Sequence, residues 1–327
     1  MAADRPNNAV LLIIAEVSPV RQVRVVVIAF FLAGLLAVPT APAALAQGNA
    51  LAKRIAAIAA PLKMRVGVGL IMIEDGRVVS FHGDQRFPMQ SVFKLPVALA
   101  VLSAVDQGRL ALEQEIVVSP GDLRPHTWSP LREKYPQGAR LPLAEILRYT
   151  VAQSDNNGCD ILLGLLGGPA TVNDFIHGLG IKDMAIRYDE ARMQRDWQAQ
   201  FANWSTPLAL ARLLRLFYQG KILSPPSTAF LLEVMLNTQA GAERIKGNLP
   251  PGTPVAHKTG TSGTRDGVRA ALNDVGIITL PSGGHLAVAV LVSDCRENRA
   301  TGEKAIAAIA RAAYDHFSVA DKPSPAD

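Results

Sequence analysis

Three short motifs in this chain could carry chemistry together. Ser91-Val92-Phe93-Lys94 sets a hydroxyl and an amine three positions apart, Ser154-Asp155-Asn156 offers a second hydroxyl beside a carboxylate and an amide, and Lys258-Thr259-Gly260 puts an ammonium and a hydroxyl before a residue with no side chain. Taken singly each is weak, since a Ser-x-x-Lys arises by chance about once in a chain of this length. Here each occurs once, and they follow in order at separations of 63 and 104 residues (154 minus 91, 258 minus 154). Ser91 opens an apolar run that reads as a buried helix, so Lys94 lies on the same face, one turn on and within reach of the hydroxyl. A buried ammonium near other cations loses its proton more readily, and the resulting amine can deprotonate a serine for nucleophilic attack. The plain alternative for Ser91 alone is a helix cap, and the other two motifs weigh against it.

The elements that must position these groups fall into two kinds. Arg65 to Ile73 and Arg77 to His82 read as strands joined at Asp75-Gly76, and Asp274 to Leu280 and His285 to Ser293 as strands flanking Pro281-Ser282-Gly283-Gly284. Gly302 to His316 reads as a terminal helix with Ile306, Ile309 and Ala313 on one face. Between the β-rich ends, helical patterns cover Pro96 to Gln107, Leu143 to Ala152, Cys159 to Leu166, Val172 to Leu179, Pro207 to Tyr218 and Thr228 to Leu236. The expected fold class is α/β (α+β): an antiparallel sheet flanked by helices, with an all-helical domain inserted in the middle and a cleft between the two parts. On this reading residues 47–86 and 237–320 make the α/β domain, 87–236 the helical domain, and 321–327 a tail. Arg187 to Ser205 is polar and weakly periodic, carries Asp189, Glu190, Arg192, Arg195 and Asp196, and reads as a long functional loop within 185–205.

Composition narrows the class of protein. With 327 residues, 49% hydrophobic and 19% charged, the chain can bury a large core, and its +5 charge is scattered without a basic run, which argues against a nucleic-acid partner. Arg21 and Arg24 precede an apolar stretch, Val25 to Val38, followed by Pro39, Pro42 and Ala44-Leu45-Ala46. That pattern predicts an export signal over 1–46, cut before Gln47 and leaving no membrane anchor, because the stretch is short of the roughly 20 residues that span a bilayer. Residues 1–20 are long for a leader's charged region, which predicts a translation start further downstream. The expected location is secreted, periplasmic. Cys159 and Cys295 are expected unpaired, and six isolated histidines, none in a ligand-spaced cluster, give no metal site and no cofactor. Nothing demands more than a monomer.

The three motifs in this order resemble those of the penicillin-recognising serine enzymes, class A serine β-lactamases and penicillin-binding proteins. Tyr188-Asp189-Glu190-Ala191-Arg192-Met193 with Gln200-Phe201-Ala202-Asn203-Trp204 is similar to the Ω-loop of the extended-spectrum PER, VEB and CepA-like branch, as are Phe87-Pro88-Met89-Gln90, Thr127-Trp128-Ser129-Pro130, Asn203-Trp204-Ser205-Thr206-Pro207 and Ala256-His257-Lys258-Thr259-Gly260-Thr261-Ser262-Gly263. The resemblance spans the mature chain and implies hydrolysis of a small β-lactam substrate through a Ser91 acyl-enzyme, conferring antibiotic resistance. It implies Lys94 as proton acceptor, Ser154 as proton donor to the leaving nitrogen, and Glu190, with Asp189 as its rival, as the general base for the deacylating water. Asn156 would bind the acylamino side chain, Lys258 and Thr259 the substrate carboxylate, Gly260 would give the ligand close approach, and the N–H groups of Ser91 and Thr261 would make the oxyanion hole. Asp155 is expected to brace its loop. Trp128 would stack on substrate at the cleft mouth, or be an ordinary surface aromatic.

Departures from the commonest class A pattern set further expectations. Tyr188 stands where an arginine usually opens the loop, and Gln194 where an asparagine usually helps hold the water. A longer amide arm changes where that water sits, and a differently closed loop would suit bulky oxyimino-cephalosporins. Gln90 and Ser262 exclude the disulfide found beside the nucleophile in several carbapenemases, so broad carbapenem hydrolysis is not expected. Either Arg244 or Arg269 could supply a second cation for the substrate carboxylate. The nearest rival is a D,D-peptidase of the penicillin-binding type, which Glu190 argues against. An esterase lacks its Gly-x-Ser-x-Gly elbow here, and a non-catalytic binding module would not need the Ser, Lys and Glu set.

Overall fold

The computed structural model describes residues 41–320; residues 1–40, which hold most of the expected export signal, and residues 321–327 lie outside them. Helix α1 (Ala41–Ala59) begins ahead of the expected cleavage point and leads into a hairpin of β1 (Arg65–Met72) and β2 (Val78–Phe81). A two-residue strand β3 (Phe87–Pro88) and a 3-10 turn, Gln90–Phe93, deliver the chain into α2 (Lys94–Asp106). There follow β4 (Glu115–Val118), α3 (Pro130–Lys134), β5 (Ala139–Pro142), α4 (Leu143–Ala152), α5 (Asn156–Leu166) and α6 (Pro169–Gly178). The stretch 184–205 is not featureless: β6 (Met184–Ala185), α7 (Glu190–Arg195), a 3-10 turn and β7 (Trp204–Ser205) occupy it, and β7 pairs with both β3 and β6. Helices α8 (Pro207–Tyr218) and α9 (Pro225–Leu236) precede β8 (Val255–Thr261), the small ribbon β9 (Thr264–Arg265) and β10 (Val268–Arg269), then β11 (Leu272–Thr279), β12 (His285–Ser293) and α10 (Arg299–Ala320).

The main sheet runs β2-β1-β12-β11-β8, antiparallel throughout, so both chain ends build it as the alternating patterns predict. Alternation assigns its faces. Val66, Val68, Leu70, Val288 and Val290 pack toward α1 and α10, whereas Ile71, Val275, Ala287, Ala289 and Leu291 join the core beneath the helices. Small residues on that inner face admit α8: a Cβ on Gly69 would lie 2.5 Å from the Pro207 carbonyl oxygen, closer than atoms pack. Helix α2 is buried from Lys94 through Ala104, enclosed by α4, α5, α6 and α9. Such all-round apolar character marks a helix inside a core rather than on a surface. Among the described residues no helix is long and apolar enough to cross a membrane.

Several helices start two or three residues earlier than their apolar periodicity suggests, and in α5 and α9 a side-chain cap sets the boundary. Asp155 caps α5 by accepting from Gly158 N, and Ser224 caps α9 with Pro225 at its first position. Cys159 and Cys295 are buried free thiols.

Candidate active site

Ser91 sits in the 3-10 turn that α2 continues, and the residue before it is strained, with Gln90 at φ +47°. A non-glycine residue in that region costs about 1–3 kcal/mol unless its surroundings hold it there. Here they do: Gln90 Nε2 donates to Gln200 Oε1 at 2.7 Å, Met89 N to Asn203 O at 2.9 Å, and the fully buried Asn273 amide to Pro88 O and Met89 O at 2.8 and 3.0 Å. Gly260 in β8 presses against the same turn, where a Cβ would meet Met89 O at 2.4 Å. The missing side chain therefore accommodates the nucleophile's own backbone, and Gly260 itself is not among the residues that line the cleft.

Lys94 is fully buried, and four oxygens surround its Nζ: Ser91 Oγ at 3.0 Å, Ser154 O at 2.8 Å, Glu190 Oε1 at 2.9 Å, and the side-chain oxygen of Asn156. An ammonium has three protons, so the four contacts cannot all be donated at once. A neutral amine could instead accept from Ser91 while Glu190 carries the proton, and the arrangement can thus pass protons between the three side chains. Ser154, at φ +60°, turns its hydroxyl the other way, to accept from Lys258 Nζ at 2.9 Å. Burial holds the Lys258 ammonium well below the ordinary lysine range, and the Lys94 charge pushes it further down.

Glu190 is the first residue of α7 and is 7% exposed, whereas Asp189 stands one position earlier as the helix cap, its carboxylate accepting from Arg192 N at 2.7 Å. The start of α7 is fastened from α5: the Asp160 carboxylate accepts from Glu190 N at 2.8 Å and Ala191 N at 3.0 Å and pairs with Arg124. Burial raises the Asp160 carboxyl to about 6, against the opposing bond from Glu190 N. Asp155 accepts from Ser129 Oγ, Leu131 N and Gly158 N, and so braces its loop.

These groups open on a cleft of about 990 Å³ lined by Ser91, Ser154, Asn156, Glu190, Thr259 and Thr261 among others. Trp128, 60% exposed, stands on its rim and is anchored through Nε1 to Gln153 O at 2.9 Å. Asn156 donates from Nδ2 to Thr127 Oγ1 at 2.7 Å, leaving the second amide proton for a ligand. Of the two candidate cations, Arg244 lines the cleft, buried and donating to Thr261 Oγ1 at 2.7 Å; Arg269 is turned to Ser262 O at 2.8 Å and does not line it. Gln194 departs from expectation. Its amide nitrogen donates to His126 O at 2.6 Å, so it ties α7 to the loop before Trp128 instead of lining the cleft. No cluster of metal-ligating side chains occurs among the described residues.

Asp160 and Asn273 escape a motif search, yet each leaves a trace. Both lie in apolar runs, Cys159-Asp160-Ile161-Leu162 and Ala271-Leu272-Asn273, where a polar side chain must find buried partners. The trace marks them as structural necessities without saying which partners they serve.

Residues 50–317 match the model of the family described as the Beta-lactamase enzyme family. The chain is 43% identical to "Beta-lactamase VEB-1" of Pseudomonas aeruginosa over 274 residues, 83% of this chain and 92% of that protein. It is 44% identical to "Extended-spectrum beta-lactamase PER-1" of the same organism over 271 residues, 82% of this chain and 88% of the relative. Among solved structures, a β-lactamase from Chitinophaga pinensis superposes with a TM-score of 0.81 at 50% identity, covering 82% of this chain and all (100%) of that one. The TLA-1 extended-spectrum β-lactamase gives 0.82 at 44%, over 83% and 99%.

Proposed function

Because this chain belongs to the β-lactamase enzyme family, as a class A serine β-lactamase, we propose that it opens penicillins and cephalosporins by acylating Ser91 and hydrolysing the ester with a water activated by Glu190. The observation that carries the reading is the position of Lys94 Nζ, 3.0 Å from Ser91 Oγ and 2.9 Å from Glu190 Oε1. One buried amine in contact with both the nucleophile and the carboxylate can serve the two half-reactions in turn.

In acylation, the amine of Lys94 takes the Ser91 proton as Oγ attacks the lactam carbonyl, and the N–H groups of Ser91 and Thr261 receive the developing oxyanion. Collapse of the tetrahedral intermediate breaks the C–N bond, and Ser154, whose oxygen is held by Lys258, supplies the proton to the nitrogen. Lys258, Thr259 and Arg244 face the ring carboxylate, and Asn156 the acylamino group. In deacylation Glu190 takes a proton from water as that water attacks the ester, the bond from the carbonyl carbon to Ser91 Oγ breaks, Lys94 returns to Ser91 the proton it took, and the proton on Glu190 passes through the same amine to restore Ser154. The Gln194 amide nitrogen is tied to His126 O, and with Tyr188 in the place of the usual arginine this supports a differently closed loop suited to oxyimino-cephalosporins. On this reading residues 87–236 carry the nucleophile and the base, and residues 237–320 the strand opposite them. The protein acts after export to the periplasm, as a monomer freed of its leader.

A chromogenic cephalosporin tests the proposal. The purified protein should turn over many equivalents, and Glu190→Ala should give one burst of colour and a stable acyl-enzyme detectable by mass. Wild-type protein that stops after one equivalent would be a penicillin-binding protein instead.

A further inference from the structure

At the end of the cleft beyond Arg244, two guanidinium groups share one carboxylate. Glu303 Oε1 accepts from Arg244 Nε at 3.2 Å and from Arg299 Nε at 2.9 Å. Both arginines line the cleft, and the sole acidic side chain among the described lining residues is Glu190, at the reaction centre. Arg148, also on the wall, is neutralised separately by a two-toothed pair with Glu233 at 2.8 and 2.9 Å. At the cleft wall this group presents two guanidiniums against the one carboxylate of Glu303, while the buried Asp274 carboxylate acts on Arg244 from behind. Burial lowers the Arg244 guanidinium, Asp274 and Glu303 oppose that, and the Arg299 charge lowers it further, so the two cations feel each other. Arg299 is also the first residue of α10, where the partial positive charge of a helix start disfavours a cation. Arg244 is almost wholly buried and committed to Gly260 O, Asn273 O and Thr261 Oγ1, whereas the Arg299 side chain is 59% exposed and, among the described contacts, engages only its Nε, with Glu303, leaving its terminal nitrogens to meet a ligand.

We infer that Arg299 is a specificity-determining residue that favours β-lactams carrying a second negative charge, on the substituent next to the ring carboxylate. This inference rests on the reaction proposed above. There the ring carboxylate meets Lys258, Thr259 and Arg244, and the neighbouring substituent projects past Arg244 toward Arg299. A second anion replaces the repulsion between the two guanidiniums with attraction, and the contact is made across a partly exposed site, where charge pairs are modest and screened by salt.

The test compares two cephalosporins that differ only in the 3-substituent, one ending in a carboxylate and one in the corresponding carboxamide. Wild-type protein should show a kcat/KM ratio of about two to five in favour of the carboxylate at low salt, expressed mainly in KM and shrinking at 0.5 M salt, roughly a 4 Å screening length. In Arg299→Gln the ratio should fall to about one, and Arg299→Lys should retain most of it, with both variants melting like the wild type. A ratio unchanged in Arg299→Gln overturns the inference, as does an equal loss for both substrates, which would make Arg299 a structural partner of Glu303. If neither cephalosporin is hydrolysed, the proposed reaction fails and this inference falls with it; if both are hydrolysed without preference, only this inference fails.

Discussion

Lys94 Nζ lies 2.9 Å from Glu190 Oε1 although 96 positions (190 minus 94) separate them in the chain, and neither side chain is more than 8% exposed. A buried pair of this kind contributes little net stability when intact, but it becomes strongly destabilising when one member is removed, because the other charge is left without a partner.

Lys94→Ala should therefore do two things at once. The acylation rate, measured from the burst with a chromogenic cephalosporin, should drop by about 10²–10⁴-fold, the usual contribution of a positioned proton acceptor. Thermal unfolding should show a loss of about 3–5 kcal/mol. A variant that keeps a rapid burst would remove Lys94 from the chemistry.

The Asp160 carboxyl makes stability and turnover respond to pH in opposite directions. Its ordinary value of 3.8 is raised to about 6 in the folded protein, first by burial. Between pH 4 and 6 the native state thus binds more protons than the unfolded chain, and unfolding free energy should fall as pH rises through that window, by on the order of 3 kcal/mol for this group. Asp160→Asn should flatten that slope in denaturant titrations across the window. Deacylation should run the other way: below about pH 6 the protonated carboxyl accepts less well from Glu190 N and Ala191 N, α7 loosens, and single-turnover deacylation slows. An identical slope in Asp160→Asn would refute the assignment.

Arg244 and Arg269 should separate cleanly in kinetics. Arg244→Ala removes a cleft-lining cation that donates to Thr261, and its KM for a cephalosporin should rise by about tenfold or more, as for a lost charge-assisted contact. Arg269→Ala, which touches only Ser262 O among the described contacts of its side chain, should shift KM by less than about twofold. Equal effects from the two would contradict the placement.

Gly260→Ala should be severe for its size. The added Cβ would fall 2.4 Å from Met89 O, inside the turn that holds Ser91. Overpacking of this kind costs about 1–3 kcal/mol, and displacement of the nucleophile should lower kcat/KM by about 100-fold. The melting temperature and the burst rate, taken together, would show whether the turn or merely the fold has been disturbed.

The resemblance to class A enzymes, carried by three motifs in order, and the antiparallel sheet built from both chain ends were legible in the sequence because they depend on local order: motif spacing, period-two alternation, and turn residues such as Asp75-Gly76. The placement of Ser91 and Lys94 on one helical face follows from spacing alone, and their contact at 3.0 Å agrees with it. Spacing has no equivalent power for Glu190 against Asp189. Adjacent positions differ by about 100° around a helix, so the start of α7 decides which carboxylate faces Lys94 and which becomes a cap, and that start is fixed by Asp160 on another helix.

By itself the sequence determined what the chain can attempt: a serine with a lysine one turn on, a carboxylate in a long loop, an alternating sheet, and helices periodic enough to bury them. Only the tertiary structure decided that Gln194 turns to His126, that Arg244 rather than Arg269 reaches the cleft, and that Asn273 holds the turn before the nucleophile. The reason is physical. Periodicity encodes which residues leave water, since burial is nondirectional and summed over area, whereas a buried polar group must find a particular partner at a particular angle, and that partner is supplied by whichever distant segment packs beside it.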